Sequence, residues 1–173
     1  MPRRKKETSL SATGRLALAA AGLIMGLVIC RVFIIPCRIS EHSMSPALQA
    51  GSRVYFLRTG RPKSGDIILL KSPIQKGHFI VRRVIGVPGD GVEIKDREIL
   101  VNGSPLHASW LAQTRDVRSL AMSFTYRDSM PFVKLGQDQF FIMGDNREES
   151  FDSRSFGPVR RDSIKGTLLY VLH

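Results

Sequence analysis

The chain has 173 residues, of which 43% are hydrophobic and 24% charged, and it carries a net charge of +11. This length suffices for one domain of ordinary size with a buried core, and it excludes two large domains. The positive charge suits an anionic partner, either nucleic acid or a lipid headgroup layer, and the elements along the chain decide between them.

The first predicted element is a transmembrane helix. Residues 16–35 form an apolar run with a single charge, Arg31. At about 1.5 Å per residue, a helix of this length spans roughly 30 Å, the thickness of a hydrocarbon core. The basic segment Pro2–Lys6 precedes the run, and positive flanks stay in the cytoplasm. The sequence therefore predicts a single-pass protein of the plasma membrane with a cytoplasmic N-terminus.

Three other interpretations of the apolar run were weighed against this one. A cleaved signal peptide needs a small-x-small site after the run, and a lipoprotein signal ending at Cys30 needs a small residue in place of Ile29. A buried core helix needs a polar face. The sequence has none of these features. We therefore expect a basic cytoplasmic tail over residues 1–14, a membrane helix over 15–35 and an extracytoplasmic domain over 36–173.

The remaining positive charge lies in the predicted extracytoplasmic domain. It is spread along the sequence without aromatic interleaving and without a nucleic-acid-binding motif. We interpret it as a solvated basic surface that faces anionic lipid. Membrane lipid, and no nucleic acid, is therefore the expected partner of these charges.

Beyond Pro36 the sequence predicts short strands separated by turns. Apolar or alternating stretches predict seven strands, at residues 54–57, 67–70, 79–85, 92–94, 98–101, 140–143 and 168–172. The segment Lys95–Arg97 predicts a hairpin turn. We expect a mostly β fold, a single antiparallel β domain, with a loop-rich insertion near 104–136 where the periodicity is weak.

Three polar segments of this domain carry candidate chemistry, namely residues 40–46, 82–90 and 144–154. Each segment alone is typical of an ordinary turn or loop. In this order behind one N-terminal anchor, however, they resemble the signal peptidase I family, whose members are membrane-anchored serine peptidases. Gly65–Ile68 and Gly157 match the same family pattern, so the resemblance covers most of residues 31–172 and leaves 104–136 unmatched.

The resemblance implies a serine endopeptidase that removes the signal peptides of exported preproteins at the outer face of the membrane, without a cofactor or a metal. It makes Ser43 the nucleophile, with a serine–lysine pair in place of a Ser-His-Asp triad. It also implies that Ser150 holds the base, and that Met44 follows the nucleophile near the membrane interface. The residues that brace the site by resemblance are Asp145, Asp152 and Arg154.

The sequence departs from the family at two positions of this site. Arg82 stands where the family has its lysine, or a histidine in the endoplasmic-reticulum branch, and an arginine keeps its proton in proteins. Glu41 stands two residues before the nucleophile, where some members have a serine that helps the oxyanion hole. Arg82→Lys should therefore raise activity if the arginine merely impairs the base, and lower it if the guanidinium takes part in the mechanism.

Other nearby basic residues are poor substitutes for the missing lysine. His78 lies about 13 Å along a strand from residue 82, and His42 adjoins the nucleophile, where neighbouring side chains point apart. Lys71 and Lys76 precede that strand, and the sequence does not place them. Two alternatives therefore stay open, a weak or inactive relative that binds peptides in pilus or secretion assembly, and a narrow-substrate peptidase of a conjugation or pilus system.

Overall fold

The computed structural model of the protein describes residues 11–58, 60–113 and 129–172. The chain divides between Ile34 and Ile35 into two units, the first helical and the second built mainly of β-strands. The basic segment before residue 11 and the middle of the predicted insertion lie outside the described residues.

The first unit contains helix α1, Ala12–Phe33. Ser11 caps its N-terminus, because the Ser11 hydroxyl accepts a hydrogen bond from the Gly14 N–H. The 22 residues of the helix span roughly 33 Å. None of them is buried, and α1 is the one helix in the described part of the chain that is long and apolar enough to cross a membrane. A membrane helix was predicted here, over residues 15–35.

The boundaries of the helix differ from that prediction at both ends. Helix α1 begins three residues earlier than predicted and ends two residues earlier, at Phe33, because Ile34–Arg38 forms strand β1. The Ile34 N–H closes the last helical turn on the Cys30 carbonyl. Pro36 then disfavours a helical conformation for Ile35, so the chain becomes extended although it is still apolar.

The strands form two sheets. After β1 they are β2 Arg53–Leu57, β3 Ile67–Lys71, β4 Phe79–Gly86, β5 Gly91–Lys95, β6 Glu98–Val101, β7 Ser104–Pro105, β8 Met130–Lys134, β9 Gln139–Met143, β10 Val159–Arg160 and β11 Ile164–Leu172. The short helices are α2 Ser109–Gln113 and α3 Ser153–Phe156, and a single 3₁₀ turn covers Arg161–Ser163.

Within the described residues, the larger sheet has seven strands in the order β1-β2-β11-β3-β4-β9-β10, and the smaller has four in the order β7-β6-β5-β8. The ladders from β2 to β10, and all three ladders of the smaller sheet, are antiparallel. The predicted mostly antiparallel β fold is confirmed. All seven predicted strands are present, with ends that differ by a few residues.

Two local predictions have different outcomes. The hairpin turn is confirmed, since β5 and β6 pair around Asp96 and Arg97, whose φ angles of 47° and 71° are those of a tight two-residue hairpin. Within the predicted insertion 104–136, the described residues 104–113 and 129–136 contain β7, α2 and β8. Strand β8, Met130–Lys134, was not predicted because apolar and polar residues alternate only weakly along it. Its pairing with β5 stabilises the extended conformation.

Strand β3 explains how the larger sheet is buried on both faces. Its residues Ile67 and Leu69 belong to one apolar cluster, whereas Ile68 and Leu70 belong to another. A strand covered on both sides reads as a continuous apolar run, as this one does. The first cluster also contains Met44 and Leu48, which fixes the segment around residue 43 against the sheet.

Candidate active site

Ser43 lies in a turn between β1 and β2. The Ser45 N–H donates to the His42 carbonyl at 3.0 Å, and the Leu48 N–H donates to the Met44 carbonyl at 2.8 Å. Met44 and Leu48 are buried in the first apolar cluster, so their packing fixes the turn against the core. The Ser43 residue is itself only 4% exposed, which places its hydroxyl in a partly desolvated environment.

Arg82 lies in the interior of β4, opposite Ile68 of β3, and is 3% exposed. Its Nη1 donates to the Ser43 Oγ at 2.8 Å and to the Val81 carbonyl at 2.7 Å. Its Nε and Nη2 both donate to the Phe151 carbonyl, at 3.2 and 3.0 Å. The planar guanidinium is thus fixed in one orientation beside the serine.

Glu41 completes a three-membered group with these two residues. Its Oε2 accepts a hydrogen bond from the Ser43 hydroxyl at 3.1 Å and lies 3.5 Å from the Arg82 Nη1. The Glu41 side chain is 53% exposed, in contrast to the buried guanidinium. Burial lowers the pKa of Arg82, and the nearby carboxylates of Glu41 and Asp152 act in the opposite direction.

The other basic residues considered from the sequence lie elsewhere. Lys71 is opposite Phe79 in the β3–β4 ladder, three residues from the Ile68–Arg82 pair and therefore about 10 Å along the strand. Lys76 and His78 are exposed in the turn that joins these strands. None of the three is a hydrogen-bond partner of Ser43 among the contacts of the described residues.

The loop 144–154 closes the site through Asp152, which is fully buried. The Asp152 carboxylate pairs with the Arg154 Nε at 2.9 Å and Nη2 at 2.8 Å, and it accepts the Gly144 N–H at 3.0 Å. Burial acts to raise the pKa of Asp152, but the Arg154 guanidinium and the Gly144 N–H outweigh it and hold that pKa below its usual value. The same carboxylate caps helix α3 by accepting the Arg154 N–H.

Glycine is required at position 144 because the backbone there packs directly against the Ser150 side chain and the Ser43 carbonyl. A Cβ on this residue would overlap the Ser150 side chain and lie 2.6 Å from the Ser43 carbonyl oxygen. Ser150, which is buried, is thereby brought next to the nucleophile turn. The Asn146 N–H also donates to the Ser43 carbonyl at 3.0 Å, so the closing loop holds the serine from its backbone side.

A second buried ion pair joins the loop to strand β4. The Arg83 Nε and Nη2 donate to the two carboxylate oxygens of Asp145 in a bidentate pair, and both side chains are almost completely buried. The Arg83 Nη1 donates to the Gly65 carbonyl at 2.8 Å, and its guanidinium lies 4.6 Å from the Trp110 ring centroid. Asp145 thus braces the loop through Arg83, a partner that the resemblance had not supplied.

The structure therefore brings Ser43 and Arg82 into direct contact and places Ser150 next to the Ser43 backbone. Met44 faces the core, where it supports the turn of the nucleophile. Asp152 and Arg154 form one brace of the closing loop, and Asp145 forms the other with Arg83. Sequence reasoning missed Arg83, the Phe151 carbonyl and the hydrogen bond from Ser43 to Glu41. The signal for Arg83 was present, since two adjacent arginines in a buried strand each require a polar partner.

The chain is similar in sequence and in structure to known signal peptidases. Residues 11–172 match the family model described as signal peptidase, peptidase S26. The chain is 34% identical to signal peptidase I P of Bacillus subtilis subsp. natto over 173 residues, covering 96% of this chain and 90% of that protein. It is 33% identical to signal peptidase I T of Bacillus subtilis strain 168, covering 96% and 88%. The crystal structure of a signal peptidase I from Enterococcus faecalis V583 matches with a TM-score of 0.51 and 32% identity, over 64% of this chain and 98% of that one.

Proposed function

Because the chain belongs to the signal peptidase family, peptidase S26, we propose that it removes the signal peptides of exported preproteins with Ser43 as its nucleophile. The supporting observation is the environment of one hydroxyl. Ser43 Oγ is buried, accepts a hydrogen bond from Arg82 and donates one to Glu41. A serine used only to stabilise a turn has no need of two charged partners.

The geometry supports an acyl-enzyme reaction. Ser43 Oγ attacks the carbonyl carbon at the cleavage site, and the oxyanion that forms is stabilised by preorganised N–H donors. The resemblance assigns the Ser43 N–H to this oxyanion, and Glu41 cannot add a donor because a carboxylate only accepts. Arg82 supplies a fixed positive charge within 2.8 Å of Ser43 Oγ, where negative charge develops as the hydroxyl is deprotonated.

The protein is membrane-anchored through α1. Its orientation is part of the proposal, with residues before the helix in the cytoplasm and residues after it outside, next to lipid and to arriving signal peptides. Protease added to spheroplasts should therefore digest the domain that carries Ser43. Protection of that domain until the membrane is lysed would contradict this orientation.

The decisive experiment is cleavage of a purified preprotein by the full chain in detergent. Ser43→Ala should abolish cleavage, and Ser104→Ala, which changes an exposed serine in the smaller sheet, should leave it unchanged. Ser43→Ala loses the hydrogen bond from Arg82 but should keep a single cooperative unfolding transition, so that loss of the hydroxyl is separated from loss of the fold. If the wild type binds the preprotein without cutting it, the protein is a peptide-binding accessory instead.

A further inference from the structure

The Ser43 proton needs an acceptor, and the structure limits the choice. A guanidinium has five N–H donors and no acceptor, so the short contact from Arg82 Nη1 to Ser43 Oγ uses a lone pair of the serine. The serine proton must therefore point elsewhere. Within the part of the chain that the structure describes, it points to Glu41 Oε2 at 3.1 Å.

We propose that Glu41 is the general base of this enzyme, and that Arg82 orients the Glu41–Ser43 pair and stabilises its negative charge. This inference rests on the proposed function, because it takes Ser43 as the nucleophile. It assigns a catalytic role to the residue that departs from the family pattern two positions before the serine. The missing lysine is thereby replaced by a carboxylate at a different place in the sequence, which contacts the same hydroxyl 3.5 Å from the Arg82 Nη1.

The proton can be followed through the whole reaction. Glu41 takes the Ser43 proton as Oγ bonds to the substrate carbonyl carbon, and the resulting carboxylic acid gives that proton to the leaving amine as the C–N bond breaks. A water then attacks the acyl ester and loses a proton to the Glu41 carboxylate. When the C–Oγ bond breaks, the same proton returns to Ser43 Oγ and the cleaved signal peptide leaves with a free carboxyl group.

The exposure of Glu41 suits this role. Its side chain is 53% exposed, so water can reach it for the second half of the reaction. Arg82 lies 3.5 Å away and holds the carboxylate toward Ser43. Other titratable or charged groups of this region include His42, next along the chain, and Asp152 and Arg154, which act electrostatically on Arg82.

The first test compares Glu41→Gln with Glu98→Gln, an identical chemical change at an exposed strand position. A general base contributes about 10²–10⁴-fold, so Glu41→Gln should lower kcat by that factor with little change in KM, and Glu98→Gln should match the wild type. The wild-type rate should also be level from pH 7 to 10, because a carboxylate base needs no alkaline pH to lose its proton, whereas a lysine or arginine base does.

The second test separates a base from a residue that only positions Arg82. In Glu41→Ala, added formate should restore cleavage, whereas nitrate, which has the same charge and planar shape but is a far weaker base, should not. Ser43→Ala should respond to neither anion. Equal rescue by nitrate would show that only a negative charge beside Arg82 is needed, and would overturn the proposal.

These experiments test the role of Glu41 as the base separately from the proposed peptidase function. If Glu41→Gln keeps wild-type activity within about threefold while Ser43→Ala is inactive, Glu41 is not the base but the peptidase assignment stands. If Ser43→Ala is still active, the proposed function itself fails.

Discussion

Replacing Arg82 by lysine introduces the residue that the family resemblance places at this position, and we expect it to lower activity. The guanidinium holds three acceptors at once, namely Ser43 Oγ, the Val81 carbonyl and the Phe151 carbonyl. The three N–H groups of a lysine radiate from a single nitrogen atom and cannot span all three acceptors. The substitution therefore leaves at least the Phe151 carbonyl without its charged donor.

The magnitude follows from these bonds. A hydrogen bond to a charged group contributes about 1.5–3 kcal/mol, so Arg82→Lys should destabilise the protein by ~2 kcal/mol. For a domain of this size that corresponds to a fall in melting temperature of roughly 4–8 °C. A preorganised donor at a reacting oxygen contributes about 10²-fold to kcat, so an ammonium group that leaves the fixed position of Arg82 Nη1 beside Ser43 Oγ should lower kcat by that factor. The new lysine does not compensate, because the carboxylate of Glu41 keeps it protonated.

A double variant tests directly whether Glu41 keeps a lysine at position 82 protonated. In Glu41→Ser combined with Arg82→Lys, the carboxylate is gone and the lysine occupies a buried site, where desolvation lowers its pKa and makes it a usable base. Preprotein cleavage in detergent at pH 7 to 10 should show the double variant to be more active than Arg82→Lys alone, with a rate that rises with pH. The exposed substitution Arg53→Lys controls for general effects. Arg82→Lys alone exceeding the wild type would refute the reasoning, because the arginine would then be an impaired base and Glu41 a bystander.

Three further outcomes follow from the buried charges around the site. Asp145→Asn should lower the free energy of unfolding by about 3–5 kcal/mol in a urea titration, because it leaves the Arg83 charge buried without its partner; a loss below 1 kcal/mol would contradict this. Arg147→Met should raise stability by about 1 kcal/mol, since burial lowers the pKa of Arg147 to about 10 and its Nε has no hydrogen-bond partner among the described residues; a fall in melting temperature would contradict this. The Asp152 carboxyl, whose pKa is lowered in the folded state, contributes stability that is present above its unfolded-state pKa of ~3.9 and is lost as the pH falls through the lower folded-state value, so Asp152→Asn should flatten the acid limb of a melting-temperature profile.

Most of the β-strands were predictable because each carries its own signal. The run Ile67–Leu70 is apolar on both faces, as a strand buried on both sides requires, and the turn at Asp96 and Arg97 lies between two alternating segments. Strand β1 was not predictable from hydropathy, since Ile34 and Ile35 extend the apolar run of the helix. Pro36 was the available signal, and it acts on the conformation of its neighbour rather than on hydropathy.

In the candidate active site, too, some contacts were predictable and others were not. Ser43 and Arg82 are separated by 38 intervening residues, and only the family resemblance predicted that they meet. Neither the sequence pattern nor the family resemblance predicted the hydrogen bond from Ser43 to Glu41. It depends on which way an exposed side chain turns beside a turn of the backbone, and the family pattern has no carboxylate there to suggest it. A chain whose expected base is replaced by a permanent cation nevertheless points to a compensating anion, since a buried positive charge requires a partner.

Charge balance shows why the two departures belong together. A serine–lysine site works with a neutral amine, so the group next to the nucleophile carries no net charge. Here the Arg82 cation and the Glu41 anion, 3.5 Å apart, also sum to zero. Changing only the glutamate leaves a guanidinium that is 3% exposed without its carboxylate, and changing only the arginine leaves a carboxylate that holds any incoming lysine in its inactive, protonated form. Neither single change leads from one working arrangement to the other. Glu41 and Arg82 are therefore best understood as one unit that takes the place of the catalytic lysine.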